Sequence, residues 1–277
     1  GVSNIQGKTD KNEVTKILQL AHASGIDLID TAASYGDSES ILAKDIAKNY
    51  WKIVTKTPHF SSLFLSNDDV NQLTQSFNQS LNKLGQKNIY GLLLHSCDDL
   101  LKPGGELLFN EMMRLKSIGL VEKIGVSIYD KTQIEAILSK FSIDIIQLPI
   151  NILDQSLLLE GWLEKLKNKD IEVHARSVFL QGLLLMKKKS IPPYFLSVKK
   201  NLDEFYKLSK ELSLSQLELA LQFVMQIDEI DRVIIGTNNA NQLKEILQSK
   251  RLNINSVDLS DISVDDQKYT NPSLWKI

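Results

Sequence analysis

The strongest constraint on the fold is an alternation of short apolar runs with segments of helical periodicity. Apolar runs of strand length recur along the chain, with helical segments between them. This alternation, at intervals of roughly 20–40 residues, is typical of parallel βα units, in which a helix connects one strand to the next. The predicted strands are 26–29, 53–55, 89–94, 124–126, 143–148, 173–178 and 233–235.

The helical segments carry apolar residues at three- and four-residue spacing. The clearest of them, 67–84, begins after the capping-box pattern of Ser66 and Asp69 and ends before Gly85. The other predicted helices are 14–21, 41–47, 106–118, 133–141, 157–167, 214–225 and 242–247.

Two architectures accommodate this order, a closed (β/α)8 TIM barrel and an open doubly wound sheet. An open dinucleotide-binding sheet carries G-x-G-x-x-G directly after its first strand. The pair Gly104-Gly105 follows the segment 98–103, which is not a strand, so the barrel is favoured. We expect a single domain over 1–277, with a longer helical excursion at 185–232 that either carries function or only packs as an extra helix.

Composition excludes several classes of protein. The 277 residues are 43% hydrophobic with a formal net charge of −2, which argues against disorder and against a nucleic-acid partner. No run approaches the ~18 apolar residues of a membrane span. The single cysteine, Cys97, cannot form an internal disulfide, so we predict a reducing compartment, the cytoplasm, although a small periplasmic enzyme could also lack disulfides. No metal site is expected, and the sequence does not specify the oligomeric state.

Ionisable residues stand where the first three predicted strands end. Asp30, Lys56 and His95 directly follow these runs, and Tyr35 comes five residues after Asp30. In a parallel barrel the carboxyl ends of the strands form the rim that carries the active site. Taken singly, Asp30 could cap the next turn, Lys56 could reach solvent and His95 could be a buried structural histidine. Taken together, they predict a catalytic group.

The chemistry of this group is that of carbonyl reduction. A tyrosine phenol has an unperturbed pKa of about 10, and an adjacent ammonium can lower that pKa by roughly 1–3. Tyr35 would then act as the acid, Lys56 as its activator and Asp30 as the partner of the lysine, while His95 polarises the substrate carbonyl. No side chain can supply a hydride, so the site implies a nicotinamide cofactor.

Residues 30–39, Asp-Thr-Ala-Ala-Ser-Tyr-Gly-Asp-Ser-Glu, resemble the D-T-A-x-x-Y-G-x-S-E signature of the aldo-keto reductases. Lys56 and His95 stand where that family has its lysine and histidine. The resemblance covers nearly the whole chain and implies a barrel with Asp30, Tyr35, Lys56 and His95 as catalytic tetrad. It also implies a first strand that lies upstream of Gly1, the alternative being a barrel that closes in an unusual way.

The same resemblance implies a cofactor site for NADPH, with NADH as the alternative. Ser127 and Gln147 would hold the nicotinamide carboxamide, and the segment 177–183 would wrap the pyrophosphate. The segment 236–245 would hold the adenosine end at a helix N-terminus, although a simply capped helix explains it too. The residues assigned to the cofactor are Ser127, Gln147, Arg176, Ser177, Phe179, Gln181, Gly236, Thr237, Gln242 and Glu245.

Several positions depart from the family pattern. Ile128 replaces an asparagine, and Arg176 replaces an aromatic residue that stacks on the nicotinamide. Gly236 and Gln242 stand where lysine and arginine often bind the 2′-phosphate of NADPH. The C-terminal segment 271–275 resembles a branch associated with cell-surface polysaccharide biosynthesis, which implies a sugar or nucleotide-sugar substrate.

Two other functions are consistent with these residues. A barrel enzyme of the aldolase or dehydratase type could use Lys56 as a Schiff-base nucleophile. A non-catalytic regulatory subunit could keep the fold and the cofactor, as the changes at Ile128 and Arg176 allow.

Overall fold

In the computed structural model, the described residues are 10–46, 50–249, 253–254 and 257–276. The seven predicted strands are confirmed, with ends displaced by a few residues. The strand implied upstream of Gly1 lies outside the described residues. The strands are β1 (Leu28–Asp30), β2 (Lys52–Lys56), β3 (Ile89–Leu94), β4 (Val121–Ser127), β5 (Ile145–Pro149), β6 (Glu172–Arg176) and β7 (Arg232–Val233).

The helices lie where the apolar periodicity predicts them, but one predicted helix is wrong. The segment 157–167 is not one helix, because the chain turns at Gly161 with a φ of 70° and begins a second helix there. The α-helices are α1 (Lys11–Ala23), α2 (Ser38–Ile46), α3 (Asn67–Leu84), α4 (Asp98–Leu101), α5 (Gly105–Ser117), α6 (Lys131–Leu138), α7 (Ser156–Leu159), α8 (Trp162–Lys167), α9 (Lys199–Glu211), α10 (Gln216–Met225), α11 (Ala240–Leu247) and α12 (Gln267–Thr270).

Helix α3 shows how local sequence sets an element's ends. The Ser66 side chain accepts a hydrogen bond from the backbone of the first turn, and Asp69 accepts one from the Ser66 N–H, which completes the predicted capping box. Gly85 ends the helix in the left-handed conformation, with a φ of 64°.

The strands form a sheet in chain order, β1 to β7. Strands β1, β2, β3 and β4 pair in parallel, as do β6 and β7. Asp30 pairs in register with Val54, and Lys56 with Leu93. The carboxyl ends of β1, β2 and β3 therefore lie side by side, as the βα pattern predicts.

The described residues fall into two compact units. The first contains the residues up to 128 together with 132–146 and 236–247, and the second contains 129–131, 147–235 and the residues after 247. The single-domain assignment stays a prediction. Among the described residues, no helix combines the length and apolar character that crossing a bilayer requires.

The core of the first unit is built from apolar strand residues. Val54, Leu93 and Ile145 are buried together there. Gly125 of β4 lies so close to the backbone of Ile145 that a Cβ would stand 2.0 Å from its carbonyl oxygen. Only glycine permits this approach, which fixes the position of the end of β4.

In the second unit, the excursion at 185–232 contains helices α9 and α10 and short 3-10 turns. It also carries Phe195, which is buried and packs against the C-terminal segment. The ring centroids of Phe195 and Trp275 lie 4.9 Å apart at 81°, and the Trp275 indole N–H donates to the Tyr269 carbonyl at 3.1 Å. The end of the described chain is therefore anchored by aromatic packing.

Candidate active site

Three neighbouring strands bring the predicted catalytic residues to one edge of the sheet. Strand β1 ends at Asp30, β2 ends at Lys56, and His95 directly follows β3. Because the three strands are parallel neighbours, the three side chains start from adjacent positions. The interpretation of these residues as one group therefore agrees with the strand register.

Lys56 and Asp30 form a buried ion pair. The distance from Lys56 Nζ to Asp30 Oδ2 is 2.6 Å, and Nζ also donates to the Thr31 carbonyl oxygen at 3.1 Å. The side chain of Lys56 is 2% exposed and that of Asp30 is 11% exposed. A buried charge requires a paired and hydrogen-bonded partner, which Asp30 and Thr31 supply.

Tyr35 lies beside this pair, on the turn that follows β1. Its N–H donates to the Ala32 carbonyl at 3.0 Å. The centroid of the Tyr35 ring is 5.6 Å from Lys56 Nζ, and the ring meets that of His95 edge to face, with centroids 5.7 Å apart. The structure thus brings Asp30, Tyr35, Lys56 and His95 together.

Three further residues contact His95 and were not singled out from the sequence. Ser34 Oγ lies 3.2 Å from His95 Nδ1, and the imidazole of His59 stacks on that of His95 with centroids 4.6 Å apart. The backbone N–H of His95 donates to Thr57 Oγ1 at 3.3 Å. Thr57 and His59 follow Lys56 on the loop that leaves the same strand end, and that position was the available signal.

Ser127 and Gln147 are buried polar residues on neighbouring elements of the sequence. Ser127 is the last residue of β4 and is 5% exposed, while Gln147 lies within β5 and is 2% exposed. Each side chain carries both a hydrogen-bond donor and an acceptor, and the assignment of both residues to the cofactor stays a prediction. Ile128, directly after β4, is fully buried, so the position where the family has asparagine carries an apolar side chain.

Arg176 ends β6 and stacks on an aromatic ring of its own unit. Its guanidinium carbon lies 4.4 Å from the centroid of the Tyr129 ring, and Nη1 donates to Ser177 Oγ at 3.3 Å. Burial raises the pKa of the nearby Asp154 to about 6, opposed by hydrogen bonds from Ser156 and by the charge of Arg176. Tyr129 and Asp154 were not identified from the sequence.

The predicted pyrophosphate segment has an unusual backbone. Ser177, Leu180 and Gln181 have φ values of 62°, 45° and 54°, and Gly182 has 90°. Non-glycine residues with positive φ are strained, and such strain concentrates at functional sites and ligand clamps. Phe179, within the same segment, is partly exposed.

The predicted adenosine segment is already hydrogen-bonded to other parts of the protein. Gln242 Oε1 accepts from the Asn238 N–H at 2.8 Å, and Glu13 Oε2, from α1, accepts from the Ala240 N–H at 3.2 Å. Hydrogen bonds from Lys16 and from the Ala240 backbone lower the pKa of Glu13. A carboxylate therefore stands at the first residue of α11.

The remaining residues of this segment give less information. Gly236 and Thr237 lie between β7 and α11, and a Cβ at Gly236 would meet no atom within 4 Å. Glu245 is exposed on α11. Their assignment to the cofactor stays a prediction.

Known proteins resemble this chain in sequence. The sequence profile of the Aldo/keto reductase family matches residues 1–264. The "Uncharacterized oxidoreductase YqkF" of Bacillus subtilis (strain 168) is 25% identical, over 87% of this chain and 83% of that protein. The "Aldo-keto reductase YhdN" of the same organism is also 25% identical, over 93% of this chain and 84% of that protein.

Solved structures share the fold. The aldo-keto reductase AKR11C1 from Bacillus halodurans, in its holo form, gives a TM-score of 0.74 at 20% identity and covers 97% of this chain and 90% of its own. The glycerol dehydrogenase AKR11B4 from Gluconobacter oxydans gives 0.71 at 20% identity and covers 94% and 86%.

These likenesses confirm the predicted (β/α)8 barrel fold and the resemblance drawn from residues 30–39. The relatives named above do not support the resemblance of the segment 271–275 to a polysaccharide branch. The chain belongs to the aldo/keto reductase family of NAD(P)H-dependent oxidoreductases.

Proposed function

We propose that this protein reduces an aldehyde or ketone to an alcohol, with Tyr35 as the proton donor. The observation that carries the proposal is the buried pair of Lys56 and Asp30 beside the Tyr35 ring, with His95 at the edge of the same ring. An acid, a fixed positive charge and an imidazole on one strand edge are the groups that carbonyl reduction requires.

Each residue has a separate role in this reaction. Tyr35 donates its phenolic proton to the carbonyl oxygen of the substrate as negative charge develops there. The Lys56 ammonium, held in place by Asp30 and Thr31, stabilises the phenolate that remains. His95 donates a hydrogen bond to the same carbonyl oxygen, which polarises the carbonyl and orients the substrate.

Some of the residues assigned to the cofactor have the chemistry that binding a nicotinamide dinucleotide requires. When bound, it supplies the hydride that no side chain can provide. The buried hydroxyl of Ser127 and the buried amide of Gln147 have the donors and acceptors that a carboxamide requires. The strained backbone of 177–182 is consistent with a segment that clasps the pyrophosphate.

The charge near α11 affects the binding of NADPH and of NADH differently. NADPH is the usual cofactor of the family, and it remains the form we propose to test first. The Glu13 carboxylate at the first residue of α11 opposes a second negative charge there, and this opposition favours NADH. Fluorescence titration with each form measures the preference, and a preference for NADH above tenfold would overturn the NADPH assignment.

The Schiff-base alternative meets a specific difficulty. A lysine nucleophile reacts as the neutral amine, whereas Lys56 is buried against the Asp30 carboxylate and is held as an ammonium. Borohydride trapping of a carbonyl compound on Lys56 would support this alternative. A regulatory subunit is the other alternative, and tight cofactor binding without turnover on any carbonyl compound would support it.

The deciding experiment measures NAD(P)H oxidation with a panel of carbonyl compounds, including sugar aldehydes and small ketones. Glyceraldehyde belongs in the panel because one structural relative is a glycerol dehydrogenase. Replacement of Tyr35 by Phe should lower turnover by at least about 100-fold, since a positioned acid contributes that much. Cofactor binding should be unchanged. Undiminished turnover in this variant would exclude Tyr35 as the acid.

Cytoplasmic location also remains a proposal, and it is supported by the chemistry of Cys97. The thiol is buried, with 1% of the residue exposed, and it is not in a disulfide. Such a residue suits a reducing compartment.

A further inference from the structure

We propose that Ser34 and His59 are positioning residues that hold the His95 imidazole in one tautomer and one plane for the reaction. The inference rests on the proposed function, in which His95 donates a hydrogen bond to the substrate carbonyl. Neither Ser34 nor His59 contacts the reacting atoms in this role, since each acts through His95.

The tautomer follows from hydrogen-bond donors and acceptors. A carbonyl oxygen only accepts, so the nitrogen of His95 that faces the substrate must carry a proton. Ser34 Oγ lies 3.2 Å from Nδ1, so in the proposed role the nitrogen that donates to the substrate is Nε2. In a neutral imidazole with the proton on Nε2, Nδ1 accepts, and the Ser34 hydroxyl is able to donate to it.

The plane of the ring follows from stacking. The rings of His59 and His95 lie 4.6 Å apart with an interplanar angle of 23°, and the Tyr35 ring meets His95 at 79°. One face of the His95 ring is therefore covered.

The loop that carries His59 is itself anchored. Phe60 is 3% exposed, and its carbonyl oxygen accepts from Lys102 Nζ at 2.6 Å. Lys102 is also paired with Asp99 at 2.7 Å. His59 is itself exposed, so its position against His95 follows from these anchors and from the stack, not from burial. The His59 side chain is therefore held where it supports the ring of His95.

The test for Ser34 compares two substitutions. Ser34→Ala removes the hydroxyl, and Ser34→Thr keeps it. We expect Ser34→Ala to lower kcat by about five- to tenfold, the order of one net hydrogen bond, with a smaller change in KM and none in cofactor affinity. Ser34→Thr should restore most of kcat. Ser40→Ala, an exposed serine on α2, is the matched control and should leave kcat unchanged.

The test for His59 separates the ring from its nitrogens. His59→Phe keeps a flat ring and should keep kcat within about twofold, whereas His59→Ala should lower it several-fold, in line with the strength of an aromatic pair. His22→Ala, which removes an exposed histidine stacked on Tyr50 instead, is the control.

A spectroscopic measurement makes the inference independent of turnover. Nitrogen-15 NMR distinguishes protonated from unprotonated imidazole nitrogens, and the His95 signals of the wild-type protein should show a proton on Nε2. In Ser34→Ala these signals should move toward a mixture of tautomers. Unchanged nitrogen signals together with unchanged kcat would overturn the role of Ser34. If the wild-type protein reduces no carbonyl compound, the proposed function fails, and the NMR comparison still decides how His95 is held.

Discussion

Two lysine–carboxylate pairs of nearly equal length lie in very different surroundings in this molecule. Lys56 and Asp30 are 2.6 Å apart with exposed fractions of 2% and 11%, whereas Lys16 and Glu13 are 2.7 Å apart with exposed fractions of 61% and 30%. A distance alone therefore says little about the energy or the purpose of an ion pair. Because the first pair is buried, removing one partner leaves the charge of the other uncompensated. In the second pair, solvent screens the two charges from each other.

The largest effect is expected from breaking the buried pair. Lys56→Met leaves the Asp30 carboxylate buried without its partner, so the free energy of unfolding should fall by about 3 kcal/mol. Turnover should fall by at least about 100-fold, because the charge beside Tyr35 is lost. Urea unfolding and NAD(P)H oxidation measure the two effects.

A double variant sharpens this prediction. Asp30→Leu with Lys56→Met removes both charges, and it should regain most of the stability but none of the activity. Lys16→Met, which breaks the exposed pair, should leave the unfolding transition unchanged. Equal effects of Lys56→Met and Lys16→Met on stability would contradict the comparison.

Asp154 provides an intermediate case, a partly buried carboxyl whose charge is only partly compensated. Burial raises its pKa from 3.8 to about 6, so folding favours the protonated form. The contribution of this group to stability is complete below pH 4 and is lost as the pH rises through 6. The loss is at most about 3 kcal/mol.

We therefore expect Asp154→Asn to stabilise the protein relative to wild type at pH 8 and to lose that advantage near pH 4. Melting temperatures across this range measure the difference. A melting-temperature difference that is the same at pH 4 and pH 8 would show that the carboxyl does not titrate as described. Asp261→Asn, at a position with an exposed side chain, is the control.

The smallest effect is expected from the exposed pair's carboxylate. Glu13→Gln removes a negative charge from the first residue of α11, so the affinity for NADPH relative to NADH should rise about two- to fivefold. The rise should shrink as salt is added, because the charge is exposed. Glu106→Gln, in the first turn of α5, is the matched control. An unchanged ratio of the NADPH and NADH affinities would show that Glu13 does not influence which cofactor the protein prefers.

Much of the fold was accessible from the sequence because its signals are local. The capping box of Ser66 and Asp69 was predicted, and α3 begins there with both hydrogen bonds formed. The break at Gly161 was missed, because apolar spacing continues through it and only the backbone conformation interrupts the helix. Strand ends were displaced by a few residues for the same kind of reason, since pairing with a neighbour decides where a strand ends.

Part of the candidate site was likewise predicted from the sequence, and part was visible only in the structure. Asp30, Lys56 and His95 were predicted because each follows an apolar run, and parallel pairing brings such positions together. Ser34, His59 and Glu13 could not be assigned in this way, since their roles depend on contacts between loops or helices that are far apart in sequence.

The sequence by itself determined the alternation of strands and helices, the signature at 30–39 and the placement of acid, base and imidazole at strand ends. These are properties of short segments, in which spacing and residue type suffice. Only the tertiary structure decided which pairs are buried, that Ser34 and His59 contact His95, and that Glu13 reaches α11. The physical reason is that burial and charge compensation depend on distances between segments, and no local pattern encodes those distances.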